Sequence, residues 1–208
     1  VARMTKDEQD VSGDTFSMIN LQSGELLMAL SDGMGSGTSA LDESKNVIEL
    51  LEQMSEAGFS QTSAIRLINS LYMSDQEFES YATLDISLIN LYKGECSFLK
   101  NGAVGTYILN QGKMYCIEGQ SLPMGVIGEA EPYIGKMNIY SGDYIIMMTD
   151  GVADMFSDEK YNLEKYIGQI DAVNPGDMAQ AIVDEAVRRN SGYISDDMSV
   201  IVAGVWEN

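Results

Sequence analysis

An α+β fold of antiparallel sheets packed with helices is predicted by this 208-residue sequence. Apolar residues fall in short runs separated by two-residue turn signals. Two amphipathic helices follow one another with no strand between them, and no regular strand–helix alternation occurs.

The stretch "SMINLQSGELLMALSDG" reads as two strands around Ser23-Gly24, a hairpin. From Ser39 the period changes. Val47, Ile48, Leu51, Met54 and Ala57 recur at three and four, Asp42 and Glu43 fall in the expected first turn, and Gly58 follows the last. A second helix is expected with Ser60 as its cap and Ala64, Ile65, Ile68, Leu71 and Tyr72 on one face. The polar link "SDQEFES" leads into Tyr81 to Ile117, whose turns at Lys93-Gly94, Asn101-Gly102 and Gln111-Gly112 predict an antiparallel meander. "PYIGKMNIY" and "DYIIMMTDG" are expected to pair across Ser141-Gly142. In "NPGDMAQAIVDEAVRRN", Asn174 is the cap, Pro175 the first helical residue, and Met178, Ile182, Val183, Ala186 and Val187 the apolar face. The last strand is "MSVIVAGVW".

Composition removes several function classes. The 32 acidic residues against 12 basic ones give a formal charge of -20, which repels nucleic acid and anionic membrane surfaces, so neither is expected as a partner. Histidine is absent, which removes the commonest general acid-base group and every Ser-His or Cys-His pair. Cys96 and Cys116 are too few and too far apart for a thiolate metal site and are expected to pack in strands. No apolar run approaches the roughly 18 residues of a membrane-spanning helix. The sequence reads as one domain over residues 1–208, cut from the C-terminal part of a longer protein, lying in the cytoplasm and belonging to a parent that is membrane-anchored or soluble.

The loop "LSDGMGSGTSALDES" raises the question of a ligand. Gly35 to Ala40 fits G-x-G-x-x-A, but a dinucleotide fold needs a parallel second strand with an acidic residue about 20 positions on, and a second helix stands there instead. No Lys-Ser or Lys-Thr follows the glycines as in a phosphate loop. A metal reading gains from recurrence. Asp32-Gly33 and Asp150-Gly151 end predicted strands, Asp196-Asp197 precedes the last, and Asp14 opens the first. Oxygen-only ligands select hard ions such as Mg²⁺ or Mn²⁺, and glycine after aspartate exposes a carbonyl as a further donor. A single Asp-Gly is also an ordinary turn; the joint placement of all four points to metal. Met147, Met148, Met178 and Met198 read as core filling.

These motifs, "SGD" at 12–14, "SDGMGSG" at 31–37, "TDG" at 149–151 and "DDMSV" at 196–200, resemble the metal-binding motifs of the PPM (protein phosphatase 2C) family. "VSGDTFS", "SDGMGSGTSALDES" and "YATLDISLINL" resemble its bacterial branch typified by stage II sporulation proteins E. The resemblance implies two antiparallel sheets sandwiched between helix pairs and a metal-dependent serine/threonine phosphatase using two Mn²⁺ or Mg²⁺ ions, with no covalent intermediate. It implies that Asp32 bridges the ions, with Asp14 and the Gly33 carbonyl on one and Asp150 and Asp196 on the other. Asp32 and Asp150 are thus the central catalytic carboxylates, and Asp197 is expected beyond the ligand shell. The family's eukaryotic members place a phosphate-gripping arginine near the N-terminus, where this sequence offers only Arg3 and Lys6. The implied substrate is a phosphorylated anti-anti-sigma factor, whose dephosphorylation activates a sporulation sigma factor. The rival readings are a pseudophosphatase that signals by docking, and a nucleotide-binding enzyme using Gly35 to Ala40.

Overall fold

In the computed structural model, which describes residues 1–35, 37–74, 81–128, 131–157, 162–170 and 174–206, the chain divides into two units. Each is built on its own five-stranded antiparallel sheet. The α+β class is therefore as expected.

One unit comprises residues 13–103 and 119–138. Its strands are β2 (Asp14–Asn20), β3 (Glu25–Asp32), β4 (Leu84–Asn90), β5 (Glu95–Asn101) and β8 (Tyr133–Asn138), in that spatial order. The expected hairpin at Ser23-Gly24 joins β2 to β3. Helices α1 (Gly37–Glu56) and α2 (Gln61–Ser74) bury Val47, Ile48, Leu51, Ala64, Ile65 and Ile68 with Leu27, Ala29, Leu84, Ile86 and Leu99 of the strands. Apolar area removed from water at about 25 cal/mol per Å² is what holds these layers together. Polar contacts set the seat of α1: Thr15 Oγ1 and Ser44 Oγ are 2.8 Å apart, and the Ser17 hydroxyl donates to Glu52. Ser60 caps α2 as expected, its Oγ accepting from the Ser63 N–H at 3.2 Å.

The other unit comprises residues 1–12, 104–118 and 139–208. Its strands, in spatial order, are β1 (Ala2–Met4), β10 (Met198–Gly204), β9 (Tyr144–Met148), β6 (Thr106–Asn110) and β7 (Lys113–Ile117). α3 (Asp150–Ala153), a 3₁₀ turn at Asp154–Phe156, α4 (Leu163–Ile167) and α5 (Pro175–Arg189) complete it. As expected, Asn174 caps α5, accepting from the Gly176 N–H at 2.7 Å, and Met178, Ile182, Val183 and Ala186 are buried. Met147, Met148, Met178 and Met198 are all core residues. Cys96 lies in β5 and Cys116 in β7, and neither forms a disulfide.

Several expectations are corrected. Tyr81 to Ile117 is not one meander: β4–β5 and β6–β7 pair within themselves but belong to different sheets. Asn101-Gly102 is the crossing point, because the free edge of β5 is taken by β8 and the Gly102 N–H bonds the Ser121 carbonyl at 3.1 Å. For the same reason "PYIGKMNIY" and "DYIIMMTDG" do not pair; β8 belongs with β5 and β9 with β10 and β6. Helix α1 begins two residues earlier than expected, so Asp42 and Glu43 lie beyond its first turn. Ala57 falls outside α1 and is exposed, as is Leu71 on α2. Strand β1 was not anticipated, and the link at 75–80 lies outside the described residues.

One polar pair is enclosed in the first-described unit. Lys100 Nζ lies 2.7 Å from Asp85 Oδ2, and their side chains are 0% and 2% exposed. Such a pair, once broken, leaves an uncompensated buried charge, whereas replacing both partners by apolar groups is often neutral. Lys100→Met is therefore expected to destabilise by roughly 3–5 kcal/mol, and Asp85→Leu combined with Lys100→Met to recover most of the loss. Urea unfolding of the parent and both variants checks this; a neutral single substitution would contradict it.

Candidate functional site

The first acidic group forms at the open end of the β2–β3 hairpin. Strand pairing sets Asp14 directly opposite Asp32, with Asp14 buried and Asp32 half-buried. The following backbone is pinned from both sides. Thr83 Oγ1 accepts from the Asp32 N–H at 3.0 Å, the Thr83 N–H returns a bond to the Asp32 carbonyl at 2.9 Å, and the Ser31 hydroxyl donates to the Thr83 carbonyl at 2.7 Å. The Gly33 N–H donates to the Gly13 carbonyl at 3.2 Å, and that of Met34 to the Tyr81 carbonyl at 2.9 Å. A Cβ on Gly33 would stand 1.9 Å from the Ala40 carbonyl oxygen of α1. Glycine is therefore obligatory where this turn meets the helix.

The second group lies where β9 ends and β10 begins. Thr149 ties the two together: its N–H donates to the Ser199 carbonyl at 3.1 Å, and its Oγ1 accepts from the Ser199 N–H at 3.0 Å. Asp150 therefore opens the short α3 instead of ending the strand, and its side chain is exposed. A Cβ on Gly151 would stand 2.2 Å from the Asp197 carbonyl oxygen and 3.3 Å from Cβ of Asp196. That contact brings the 150–151 turn against the 196–197 pair. Asp196 is exposed and Asp197 buried. The Asp197 carboxylate accepts the Lys6 backbone N–H at 2.8 Å, which occupies it with a structural bond, while Lys6 Nζ lies 3.6 Å from Asp196 Oδ1. Of the two cations considered for gripping phosphate, Lys6 is thus engaged with Asp196, and Arg3 lies on β1 with its side chain exposed.

Among the described residues no three Asp, Glu, Cys or His side chains converge into a complete metal cage. Asp14, Asp32 and the Gly33 carbonyl belong to one unit, Asp150 and Asp196 to the other. The donors on both are oxygen only, and both aspartates followed by glycine are held by close backbone approach. This chemistry fits a hard divalent ion. Thr83, Thr149 and Lys6 had no assigned role in the sequence reading apart from Lys6 as a cation. Thr83 stands within "YATLDISLINL", but nothing in that string says that it faces Asp32. The nucleotide reading loses its frame, since β4 runs antiparallel beside β3.

Comparison with known proteins adds the family. A family model described as stage II sporulation protein E (SpoIIE) matches residues 22–206. The chain belongs to the SpoIIE family. It is 36% identical over 211 residues to stage II sporulation protein E of Priestia megaterium, covering 100% of this chain and 36% of that protein. With the protein of the same name from Bacillus subtilis (strain 168) it shares 33% over 201 residues, 95% of this chain and 24% of that protein. The chain thus spans about a third or less of these curated relatives. Among solved structures it is similar to the PP2C phosphatase domain, with a fragment of the regulatory domain, of SpoIIE from Bacillus subtilis. The TM-score is 0.89 at 34% identity, over 98% of this chain and 61% of that one. RsbX in complex with magnesium shares the fold, with a TM-score of 0.73 at 20% identity over 97% of this chain and 91% of that one. The fold of this SpoIIE-family chain is that of the PP2C-type serine/threonine phosphatases, a family of hydrolases in which metal dependence is typical.

Gly33→Ala and Gly151→Ala are each expected to lower stability by about 1–3 kcal/mol or more, since backbone oxygens cannot withdraw as a side chain can. Gly128→Ala is the control, because a Cβ there meets nothing within 4 Å. Thermal unfolding of the three variants makes the comparison.

Proposed function

We propose that this domain is a metal-dependent phosphoprotein phosphatase that hydrolyses phosphoserine on an anti-anti-sigma factor and thereby activates a sporulation sigma factor. The observation that carries the reading is the pair of Asp-Gly turns, each held by a backbone oxygen where a Cβ would stand, with Asp14 opposite the first and Asp196 beside the second. In this reading Asp14, Asp32 and the Gly33 carbonyl would hold one divalent ion, Mn²⁺ or Mg²⁺, and Asp150 and Asp196 would hold a second. When bound, such a pair supplies an activated water and offsets charge on the phosphoryl oxygens. The protein's part is to hold its donors still. Thr83 fixes the backbone of Asp32 through two hydrogen bonds, and Thr149 fixes that of Asp150 through the Ser199 strand. Asp197 acts through the Lys6 segment and not as a ligand.

Bound cations also answer the problem set by a charge of -20, because a phosphoserine dianion meets repulsion over most of such a surface. The substrate assignment draws on membership of the SpoIIE family. We place the domain in the cytoplasm as part of a longer, membrane-anchored protein, a reading that draws on the longer SpoIIE relatives, of which the chain spans about a third or less.

The ligand roles are tested by Asp32→Asn and Asp150→Asn, each expected to remove nearly all Mn²⁺-dependent turnover of a phosphoserine protein while circular dichroism remains native. Asp197→Asn should retain more activity than Asp196→Asn, and the reverse order would shift the ligand by one residue. Titrating Mn²⁺ into chelated protein should raise the thermal midpoint over the range in which activity returns. The stabilisation reaches about 2.7 kcal/mol at a hundredfold excess over Kd. Calorimetry that finds no Mn²⁺ or Mg²⁺ binding at millimolar levels, together with metal-independent turnover, would refute the reading. For the substrate class, kcat/KM should favour a folded phosphoserine protein over p-nitrophenyl phosphate and over phosphotyrosine peptides; equal values would remove the case for a protein substrate.

A further inference from the structure

The N-terminal strand has a part in this chemistry that its sequence does not advertise. β1 pairs antiparallel with β10 through Ala2↔Val200, Arg3↔Ser199 and Met4↔Met198. Continued by two residues, that register sets Lys6 opposite Asp196. The segment is fastened on both sides of the lysine. Its own N–H is held by the Asp197 carboxylate at 2.8 Å, the Asp7 N–H donates to the Ile194 carbonyl at 2.9 Å, and the Ile194 N–H donates to Asp7 Oδ2 at 2.9 Å. The backbone therefore fixes where the lysine stem starts, and its ammonium ends 3.6 Å from Asp196 Oδ1. The Asp197 N–H also donates to Asp196 Oδ1 at 3.1 Å, so the same carboxylate oxygen receives the ammonium and a backbone donor. The Lys6 side chain is 33% exposed and that of Asp196 55% exposed, so neither is locked in the interior.

We propose that Lys6 is a tethered cation that competes with the divalent ion for Asp196. This rests on the reading of Asp196 as a metal ligand. With the ion absent, the ammonium balances a carboxylate that would otherwise add to the repulsion of a strongly acidic surface. When the ion binds, the ammonium leaves Asp196, and the lost pair is subtracted from the affinity. A solvent-exposed pair of this kind is worth up to about a fivefold change in an equilibrium constant, which sets the scale of the effect. Asp197, by holding the Lys6 N–H, is the positioning residue of the device.

The test is isothermal calorimetry of Mn²⁺ binding to the whole chain and to Lys6→Met and Lys6→Arg, with Lys165→Met as an exposed control on α4. The expected result is that Lys6→Met binds Mn²⁺ about two- to fivefold more tightly. Lys6→Arg should stay near the parent, Lys165→Met should change little, and the gain should disappear in an Asp196→Asn background. Thermal unfolding in chelator should show Lys6→Met folded and no more stable than the parent. Unchanged or weaker Mn²⁺ binding by folded Lys6→Met would overturn the proposal, as would an equal gain from Lys165→Met, which would make the effect one of net charge. Should the parent itself bind no Mn²⁺, the metal reading falls and this one with it. Should the parent bind and Lys6→Met match it, only the role of Lys6 falls.

Discussion

Two carbonyl oxygens stand where side chains would otherwise be, and much of the acidic architecture depends on them. The Ala40 oxygen lies 1.9 Å from the place of a Gly33 Cβ, and the Asp197 oxygen 2.2 Å from that of a Gly151 Cβ. Packing at this distance tolerates no Cβ, so the residue after each aspartate must be glycine. The consequence is positional. Where backbone meets backbone, the main chain that carries the preceding aspartate is held in place. The hydrogen bonds of Thr83 and Thr149 then complete the support.

The two units solve the same problem differently. In the first, Asp14 and Asp32 face each other across a hairpin whose register follows from a short turn, and α1 is pressed on the loop that follows. Strand register thus sets two acidic residues opposite each other, one buried and one half-buried. In the second, the acidic residues sit at the meeting of a strand end, a one-turn helix and the start of the last strand, mostly exposed. There a protein cation, Lys6, already stands beside the carboxylate. The sequence has no histidine, and both arrangements present oxygen donors, the kind that suits hard ions.

Legibility in the sequence followed the range of the interaction. Helices α1, α2 and α5 were visible because their faces repeat within a few residues, and Asn174-Pro175 marked the start of α5 from adjacent residues alone. The division of strands between sheets was not. A turn signal at Asn101-Gly102 looks the same whether the chain reverses within a sheet or leaves it, and only the pairing of β8 with β5 decides which. Strand β1 is three residues long, too short for its alternation to identify it, so its existence depends on its partner β10. Leu71 fitted the apolar period of α2 yet faces outward, because periodicity identifies a stripe and not what covers it.

By itself the sequence determined the α+β class, the oxygen-only chemistry and the positions of Asp14, Asp32, Asp150 and Asp196 near element ends. All of these follow from residue type and local spacing. Tertiary structure alone decided that Asp14 opposes Asp32, that Thr83 clamps the Asp32 backbone, that Asp197 binds the Lys6 N–H and that the lysine reaches Asp196. The physical reason is that periodicity is a property of neighbouring residues, whereas register joins segments from far apart in the chain, as it does Ala2 with Val200. A one-residue slip in that register would turn the same side chains to the opposite face.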